Sequence, residues 1–303
     1  MSWSQAALPP LLARARTQLL FAPTDHPPLW VPCPLVMAVR NPTPYTEVET
    51  VEGFGRRARE RVMRAWTRAA TLRARRVIFV SQSAADGINA HLRVPEDKVR
   101  VIHHGLDATI ARGVDGPLPE GIEAPYVLAV SSFYRYKNYL GLVRALALLR
   151  EEHGLVLPTI LCGREIDVPN VDAVRAEIAR TGLPIRLMGE LGPAALSVLY
   201  RHARVLCFPS YLETFGHPLV EAMASGTPVV AGDIPTSREL CEDAALYFDP
   251  HDTAAMAEAL RRVWTEPGLA QDMRARGLTR SQAFTWEKTA TRTEETLASA
   301  LTP

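Results

Sequence analysis

Short apolar runs alternate with amphipathic segments through most of the chain beyond residue 125. The apolar runs have the length of strands, at 126–130, 157–162, 185–188, 205–208, 228–231 and 245–248. Segments with apolar residues at helical spacing lie between them, at 139–151, 171–180, 193–202 and from Pro218. Strict alternation of strands and helices predicts a doubly wound parallel sheet.

The first part of the chain has the same alternation in a less regular form. Apolar runs predict strands at 18–22, 35–39, 77–81 and 99–102, with a short helix at 84–92. The segment 53–76 predicts a long helix whose apolar face consists of Ala58, Val62, Ala65, Trp66, Ala69 and Leu72. Glycines and prolines between acidic residues predict a linker at 108–124.

Arginines form a second stripe on this long helix, at Arg57, Arg61, Arg64, Arg68 and Arg75. Two interpretations stay open. The stripe is a solvated face of an arginine-rich protein, or it contacts an anionic membrane surface or a phosphate-bearing acceptor.

The amino-acid composition is that of a globular protein. The chain is 47% apolar and 22% charged with a net charge of +1, which is typical of a globular protein and indicates no general attraction to nucleic acid. We expect no membrane-spanning segment and no secretory signal. The separated cysteines Cys33, Cys162, Cys207 and Cys241 are expected to be reduced, which favours a cytoplasmic location.

Candidate chemistry concentrates in residues 205–232, VLCFPSYLETFGHPLVEAMASGTPVVAG. The pattern predicts a strand, a loop, a helix beginning near Pro218 and a second strand. Glu213 in the loop and Glu221 in the helix are both expected near the carboxyl end of the strand, where open α/β sheets bind ligands. Phosphate donors are expected among the backbone amides of Gly216, His217 and Leu219.

The string ETFGHPLVE from Glu213 to Glu221, followed by AMASGTPVVA, resembles the glutamate pair of the retaining glycosyltransferases of family 4, the glycosyl transferases group 1. That family has the GT-B fold. The resemblance implies that Glu213 contacts the transferred sugar and Glu221 the nucleotide ribose, with Phe215 and Gly216 in the same donor site. From the residues alone, both acids could instead be ordinary charges at a helix N-terminus.

The GT-B resemblance also implies an architecture. Two Rossmann-like doubly wound parallel-sheet domains would face a cleft, an N-terminal one at 1–110 and a nucleotide-sugar-binding one at 111–285. A helix at 286–303, opened by Trp286, would cross back to the first domain. The N-terminal domain is expected to be shortened, because about four strands are predicted before residue 110.

Other loops extend the predicted donor site. Lys137, in SSFYRYK, resembles the family's lysine that contacts the donor diphosphate, and Arg135 is assigned beside it in place of an arginine that is out of register. A cation here would meet the charge left on the diphosphate. Gly163 and Gly189 end the next two strands, and the resemblance implies that they lie beside the base and ribose, although both also suit simple tight turns.

Metal and dinucleotide chemistry are not indicated. The sequence has no Asp-x-Asp and no His or Cys spacing that suits a metal, so no metal and no cofactor other than the donor are expected. The sequence Gly53-Phe-Gly55 follows no predicted strand, which argues against a dinucleotide-binding turn.

The resemblance therefore implies a bacterial hexosyltransferase, which the lack of a metal-binding motif predicts to be metal-independent. It would transfer a hexose, with mannose as one candidate, from a nucleotide-diphosphate sugar to a glycan or lipid-linked acceptor with retention of configuration, for polysaccharide biosynthesis at the inner face of the membrane. Its catalytic residues would be Glu213, Lys137 and Arg135. Two alternatives stay open: a nucleotide-sugar-binding scaffold or partner-dependent subunit, and a sugar-nucleotide epimerase.

Overall fold

A computed structural model describes residues 5–45 and 56–302 of the chain. These residues form two compact units: one contains the described residues up to Gly105 and those from Thr285 onward, and the other contains Leu106–Phe284. The strands are β1 Leu20–Ala22, β2 Leu35–Val39, β3 Arg76–Phe79, β4 Val99–Val101, β5 Val127–Val130, β6 Thr159–Cys162, β7 Ile185–Leu187, β8 Val205–Phe208, β9 Val229–Gly232 and β10 Ala245–Phe248.

The helices follow the same chain order. They are α1 Leu8–Arg14, α2 Arg56–Arg73, α3 Gln82–Leu92, α4 Ala108–Arg112, α5 Tyr139–His153, α6 Val168–Thr181, α7 Pro193–His202, α8 His217–Ala224, α9 Pro235–Cys241, α10 Thr253–Thr265, α11 Pro267–Ser281 and α12 Trp286–Leu301. Short 3₁₀ turns lie at Thr43–Tyr45, Glu96–Lys98 and Arg135–Lys137.

The first unit is built on a four-stranded parallel sheet in the order β1-β2-β3-β4. All five residues of β2 are buried, which suits a parallel strand covered on both faces. The last helix, α12, belongs to this unit. Its Ala300 and Leu297 pack into a cluster with β2 and β3 residues, and Thr289 Oγ1 donates to the His103 carbonyl at 2.8 Å.

The second unit is built on a six-stranded parallel sheet in the order β10-β9-β8-β5-β6-β7. From β5 the chain first adds β6 and β7 on one side, and then returns to add β8, β9 and β10 on the other. The strand order therefore reverses between β5 and β8. In open α/β sheets a ligand binds outside the carboxyl ends of the strands at this point of reversal.

The long arginine-rich helix differs from the sequence prediction in its boundaries and its buried face. It spans Arg56–Arg73, so Arg75 lies outside it and donates from Nη1 to the Thr302 carbonyl at 2.8 Å. The side chain of Arg57 and residues 53–55 lie outside the described residues.

Most of the apolar face predicted for this helix is exposed, although Trp66 and Ala69 are half-buried. Its buried side consists of Thr67, Ala70 and Thr71, while the Val62 and Leu72 side chains are 63% and 62% exposed. Burial of the two threonines is tolerated because their hydroxyls bond to the helix itself: Thr67 Oγ1 donates to Met63 O at 3.0 Å and Thr71 Oγ1 to Arg68 O at 2.9 Å.

The predicted linker at 108–124 is wrong in its first part, which forms helix α4. Asp107 caps this helix by accepting a hydrogen bond from the Thr109 amide at 2.8 Å. Ile110 is buried, and the Val114 amide donates to Ser197 Oγ at 2.9 Å. The chain from Leu106 onward is therefore packed into the second unit.

Candidate active site

Lys137 and Glu213 lie together at the point where the strand order reverses. Lys137 is in the loop after β5 and Glu213 in the loop after β8, and these two strands are neighbours in the sheet. Lys137 Nζ and Glu213 Oε1 form a hydrogen-bonded ion pair, with side chains only 12% and 10% exposed. Ser210 Oγ donates to the same carboxylate oxygen at 3.2 Å. The pair is therefore a largely desolvated charge-assisted contact.

The loop that presents Lys137 is fixed immediately after it. Asn138 adopts a left-handed conformation (φ +57°) and its Nδ2 donates to the Pro250 carbonyl at 3.0 Å. Gly141 leaves room for this arrangement, because a Cβ there would lie 2.3 Å from Asn138 Oδ1. The Tyr139 hydroxyl lies 3.0 Å from the carbonyl of Ser131, at the other end of the loop. Lys137 is thus presented by a loop anchored at both ends.

Aromatic rings surround the ammonium group of Lys137. Its Nζ lies 5.0 Å from the centroid of the Tyr136 ring and 5.8 Å from that of Phe208, distances at which a cation is attracted to a ring face. Tyr136 also stacks on Tyr134 at 5.3 Å. Burial raises the pKa of Tyr136, and the neighbouring Glu213 charge raises it further, so the phenol stays protonated.

Glu221 has a different environment although it lies in the same loop-and-helix unit. It is half-buried, and its Oε2 accepts a hydrogen bond at 2.8 Å from the hydroxyl of Tyr200, which is fully buried. Burial raises the pKa of Glu221, the Tyr200 hydrogen bond opposes this, and the charge of Asp107 adds to it. Glu221 therefore has a neutral donor as its partner, whereas Glu213 has a cation.

The N-terminus of α8 lies between the two glutamates in sequence. Gly216 adopts φ +85°, a conformation that favours glycine, and Phe215 is buried with its ring 5.0 Å from the exposed His217. The Leu219 amide donates to the Gly216 carbonyl at 3.0 Å, so this N–H already has a partner in the first turn of the helix. The roles of Gly216, His217 and Leu219 as phosphate donors stay predictions.

Arg135 lies against another carboxylate. Its Nε is 3.6 Å from Asp167 Oδ2, which belongs to the buried residue that precedes α6. Asp167 thus offsets part of the Arg135 charge. The role of Arg135 as a second cation for the diphosphate stays a prediction.

The two glycines of the neighbouring loops have different structural roles. Gly163 has φ +147° and its amide donates to the Gly189 carbonyl at 2.7 Å. A Cβ on Gly163 would lie 1.7 Å from the Ser131 carbonyl oxygen, so close packing against the β5 loop requires glycine there. A Cβ on Gly189 would meet no atom within 4 Å, although its φ of +65° still favours glycine. Gly163 therefore has a structural reason for its identity, and Gly189 leaves open space beside its backbone.

Sequence reasoning missed the partners that orient the glutamates. Tyr200 lies in α7 and Ser210 follows β8, and neither has a sequence signal that separates it from ordinary core residues. Their importance depends on which strands are neighbours, and local periodicity does not determine strand order.

A metal-binding cluster and a membrane-spanning helix are both absent from the part of the chain that the structure describes. Within 5–45 and 56–302, no group of three or more His, Cys, Asp or Glu side chains is placed to hold a metal ion. In the same residues, none of the helices combines the length and the apolar character needed to cross a bilayer.

Comparisons with known proteins agree with this geometry. The family profile described as "Glycosyl transferases group 1" matches residues 117–280, and that of "Glycosyltransferase Family 4" matches residues 2–110. "O-antigen chain mannosyltransferase B" of Escherichia coli is 32% identical over 171 residues, covering 55% of this chain and 44% of the relative. "D-inositol 3-phosphate glycosyltransferase" of Streptomyces avermitilis is 28% identical over 243 residues, covering 75% of this chain and 52% of the relative.

The chain spans about half the length of these curated relatives. Among solved structures, Anabaena Alr3699/HepE in complex with UDP superposes with a TM-score of 0.77 at 20% identity, covering 98% of this chain and 84% of that one. The predicted family and GT-B fold are confirmed. The chain belongs to the glycosyl transferases group 1, the GT-B glycosyltransferases of family 4.

Proposed function

We propose that the protein transfers a hexose from a nucleotide-diphosphate sugar to a glycan or lipid-linked acceptor, with retention of configuration and without a metal or other cofactor. The observation that carries the proposal is the ion pair of Lys137 and Glu213 beside the reversal of strand order, with Glu221 on the helix that follows the same loop. Mannose is the favoured sugar because the E. coli relative is described as a mannosyltransferase.

Lys137 would bind the diphosphate of the donor. Breaking the bond between sugar and phosphate leaves negative charge on the nucleotide diphosphate, and a cation already held in place lowers the barrier to that step. Glu213 keeps the lysine ammonium in position without the donor. When the donor binds, the phosphate oxygens replace the carboxylate beside the ammonium, and Glu213 accepts hydrogen bonds from the sugar hydroxyls.

Glu221 would bind the ribose of the nucleotide. A carboxylate can accept a hydrogen bond from each of the two ribose hydroxyls. Tyr200 already occupies one lone-pair direction on Oε2, which fixes the orientation of the carboxylate. We assign no side chain as a nucleophile, because retention in this family is ascribed to attack from the face of the leaving group.

A product assay tests the proposal. The purified protein is incubated with UDP- and GDP-hexoses and candidate glycan or lipid-linked acceptors, and NMR measures the anomeric configuration of the product. Transfer with retained configuration, lost in Glu213→Gln and kept in Glu258→Gln, supports the proposal. Glu258 is a suitable control because it is an exposed, arginine-paired glutamate of the same unit.

The alternatives give different products. A scaffold or partner-dependent subunit would bind a nucleotide sugar without transfer or donor hydrolysis. An epimerase would release a changed sugar nucleotide in the absence of any acceptor. Either result would replace the transferase proposal.

A further inference from the structure

A groove lies between helices α5 and α10 on the surface of the second unit. It has a volume of about 520 Å³, which is within the usual range for ligand pockets. Its apolar lining consists of Ala147, Leu148 and Ala254, and the small side chains of the two alanines leave space between the helices. The groove is therefore large enough for a ligand and has an apolar surface on which one can rest.

A pair of stacked aromatic rings lies between this groove and the candidate active site. His251 lines the groove, and its ring stacks on that of Tyr211 with the centroids 4.6 Å apart and the planes at 21°. The Tyr211 amide donates to the Tyr136 carbonyl at 2.8 Å, and Glu213 follows two residues later in the same loop. The aromatic pair thus connects the groove to the loop that presents Glu213.

The polar edge of Tyr211 is available to a ligand. Its hydroxyl reaches the surface and forms no hydrogen bond with any group of residues 5–45 and 56–302. Burial raises the pKa of Tyr211, and the charge of nearby Arg144, another residue of the groove, opposes this shift. The phenol therefore stays protonated at neutral pH. An aromatic face beside hydrogen-bonding groups suits a sugar ring, which has apolar C–H faces and hydroxyl edges.

The positive charge of the groove is offset by acids. Arg180 donates from Nε and Nη2 to Glu177 at 3.0 and 2.8 Å, and Arg144 Nε lies 3.8 Å from the same carboxylate. Glu151 and Asp252 also line the groove and add negative charge to it. The groove therefore has no excess of positive charge that would favour an anionic ligand.

The N-terminus of α10 does not favour an anion either. Asp252 caps this helix by accepting hydrogen bonds from the amides of Ala254 and Ala255, both at 2.9 Å. The arginines of the groove can still donate to a ligand, since a guanidinium has more N–H donors than the contacts with Glu177 use. Hydrogen-bond donors and acceptors without a net positive charge favour a neutral, polyhydroxylated ligand over a phosphate.

We propose that this groove together with Tyr211, called here the α5–α10 groove, binds a neutral oligosaccharide. The aromatic pair of Tyr211 and His251 contacts the C–H face of a sugar ring, and the polar lining bonds to the hydroxyls. If the oligosaccharide is part of a glycan acceptor, holding it beside the donor site raises the effective concentration of the acceptor end. That last step rests on the proposed function, whereas the binding of the oligosaccharide does not.

Oligosaccharide titration of the full chain tests the proposal. The probes are a linear α-mannotetraose and maltotetraose, added without a nucleotide sugar, and saturation-transfer NMR measures binding. We expect saturable binding of at least one of the two. Tyr211→Ala and His251→Ala should each weaken it by about two- to tenfold, the loss expected from one aromatic contact.

A variant that fills the groove locates the binding site. Ala254 is exposed in the first turn of α10, so Ala254→Trp places a large ring in the groove and removes no charged group. This variant should lose oligosaccharide binding. The matched control is Ala275→Trp, which adds the same ring at an exposed position of α11 in the same unit and should bind as the wild type does. Far-UV circular dichroism checks that each variant is folded.

Three results would overturn the proposal. They are absence of oligosaccharide binding by the folded wild type, unchanged binding by Ala254→Trp, and equal loss in Ala275→Trp. Binding of inorganic pyrophosphate that Ala254→Trp abolishes, without binding of either oligosaccharide, would assign the groove to an anion instead. Titration of the same wild-type sample with UDP and GDP shows separately whether the donor site is present, so failure of one site is distinguished from failure of the other.

Discussion

The loop after β8 and the helix that follows it each present one glutamate, and the two glutamates have opposite environments. Glu213, in the loop, is held by a lysine and a serine. Glu221, in the helix, is held by a buried phenol, and burial raises its pKa. The two side chains are eight positions apart in one βαβ unit, so the difference comes from the strands and helices packed against them.

The two glutamates are held in position for a ligand in two different ways. Glu213 has a partner that a diphosphate can replace, so its contact with Lys137 is an exchangeable one. Glu221 has a partner that no ligand replaces, because Tyr200 is fully buried. Glu221 therefore stays oriented with or without ligand, and the part of the carboxylate not bound to Tyr200 remains for hydroxyl groups.

Removing Lys137 is expected to have the largest effect. Lys137→Met should lower kcat by roughly 10²–10³, the loss typical of removing one preorganised group that stabilises transition-state charge. It should also lower stability, because Glu213 becomes a buried charge without its cation. Steady-state kinetics with saturating donor and urea denaturation measure the two effects. Unchanged kcat in a folded variant would refute the role of the lysine.

Removing the Tyr200 hydroxyl should have the next largest effect. Tyr200→Phe removes a hydrogen bond to a charged group, so nucleotide affinity should fall by an amount equivalent to about 1.5–3 kcal/mol or less. Because that hydrogen bond stabilises the ionised carboxylate, its loss raises the pKa of Glu221 further.

The upward shift of the Glu221 pKa determines how nucleotide affinity depends on pH. The ribose hydroxyls donate to the ionised form of Glu221, so affinity should fall on acidification through its raised pKa. In Tyr200→Phe this fall should move to higher pH than in the wild type. Calorimetric titrations of both proteins across the same pH series measure the shift. A fall at the same pH in both proteins would show that Tyr200 does not act through Glu221.

Glu221→Gln should raise the stability of the protein, whereas Lys137→Met should lower it, and the effect should be smaller. A carboxyl group whose pKa is raised by folding favours the folded state while protonated, and that contribution is lost as the pH rises from its unfolded pKa through its folded pKa. At neutral pH the ionised Glu221 therefore costs stability. We expect the glutamine, which still accepts from Tyr200, to raise the free energy of unfolding by roughly 0.5–2 kcal/mol. At a pH below both pKa values the gain should disappear.

The smallest effect is expected for an exposed pair with the same chemistry as Lys137 and Glu213. Arg164 Nη2 lies 3.0 Å from Glu190 Oε2, but both side chains are 63% exposed. A double-mutant cycle with Arg164→Gln and Glu190→Gln should give a coupling free energy of about 0–1 kcal/mol. A larger coupling free energy would show that burial does not explain the difference in strength between the Arg164–Glu190 pair and the Lys137–Glu213 pair.

Much of the second unit could be predicted from the sequence because its central strands β5, β6, β8 and β9 are almost entirely buried. Continuous apolar runs mark such strands, and β8 has the predicted boundaries. The buried face of the arginine-rich helix is harder to predict. The hydroxyls of Thr67 and Thr71 donate hydrogen bonds to backbone carbonyls of the same helix, so these two residues are buried while Val62 and Leu72 are exposed. Periodicity treats threonine as polar and valine as apolar, so it does not identify the buried face of this helix.

The glutamates could be found from their motif, but their partners could not. Lys137 and Glu213 are 76 positions apart, and only the adjacency of β5 and β8 brings them together. Tyr200 is placed by the packing of α7 beside α8, for which the local sequence has no signal. A helix cap can be identified from the sequence. Asp107 is a favoured N-cap residue, and it caps the helix that forms the first part of the predicted linker.

The central claim is that the carboxyl ends of β5 and β8 hold a nucleotide-sugar donor. Calorimetric titration with UDP, GDP and their hexose derivatives tests it most directly, on the wild type, Glu221→Ala and the control Glu258→Ala. We predict that one nucleotide binds the wild type and the control alike, and binds Glu221→Ala roughly ten- to more than a hundredfold more weakly, equivalent to about 1.5–3 kcal/mol. No binding to the folded wild type, or equal binding to Glu221→Ala, would contradict the claim.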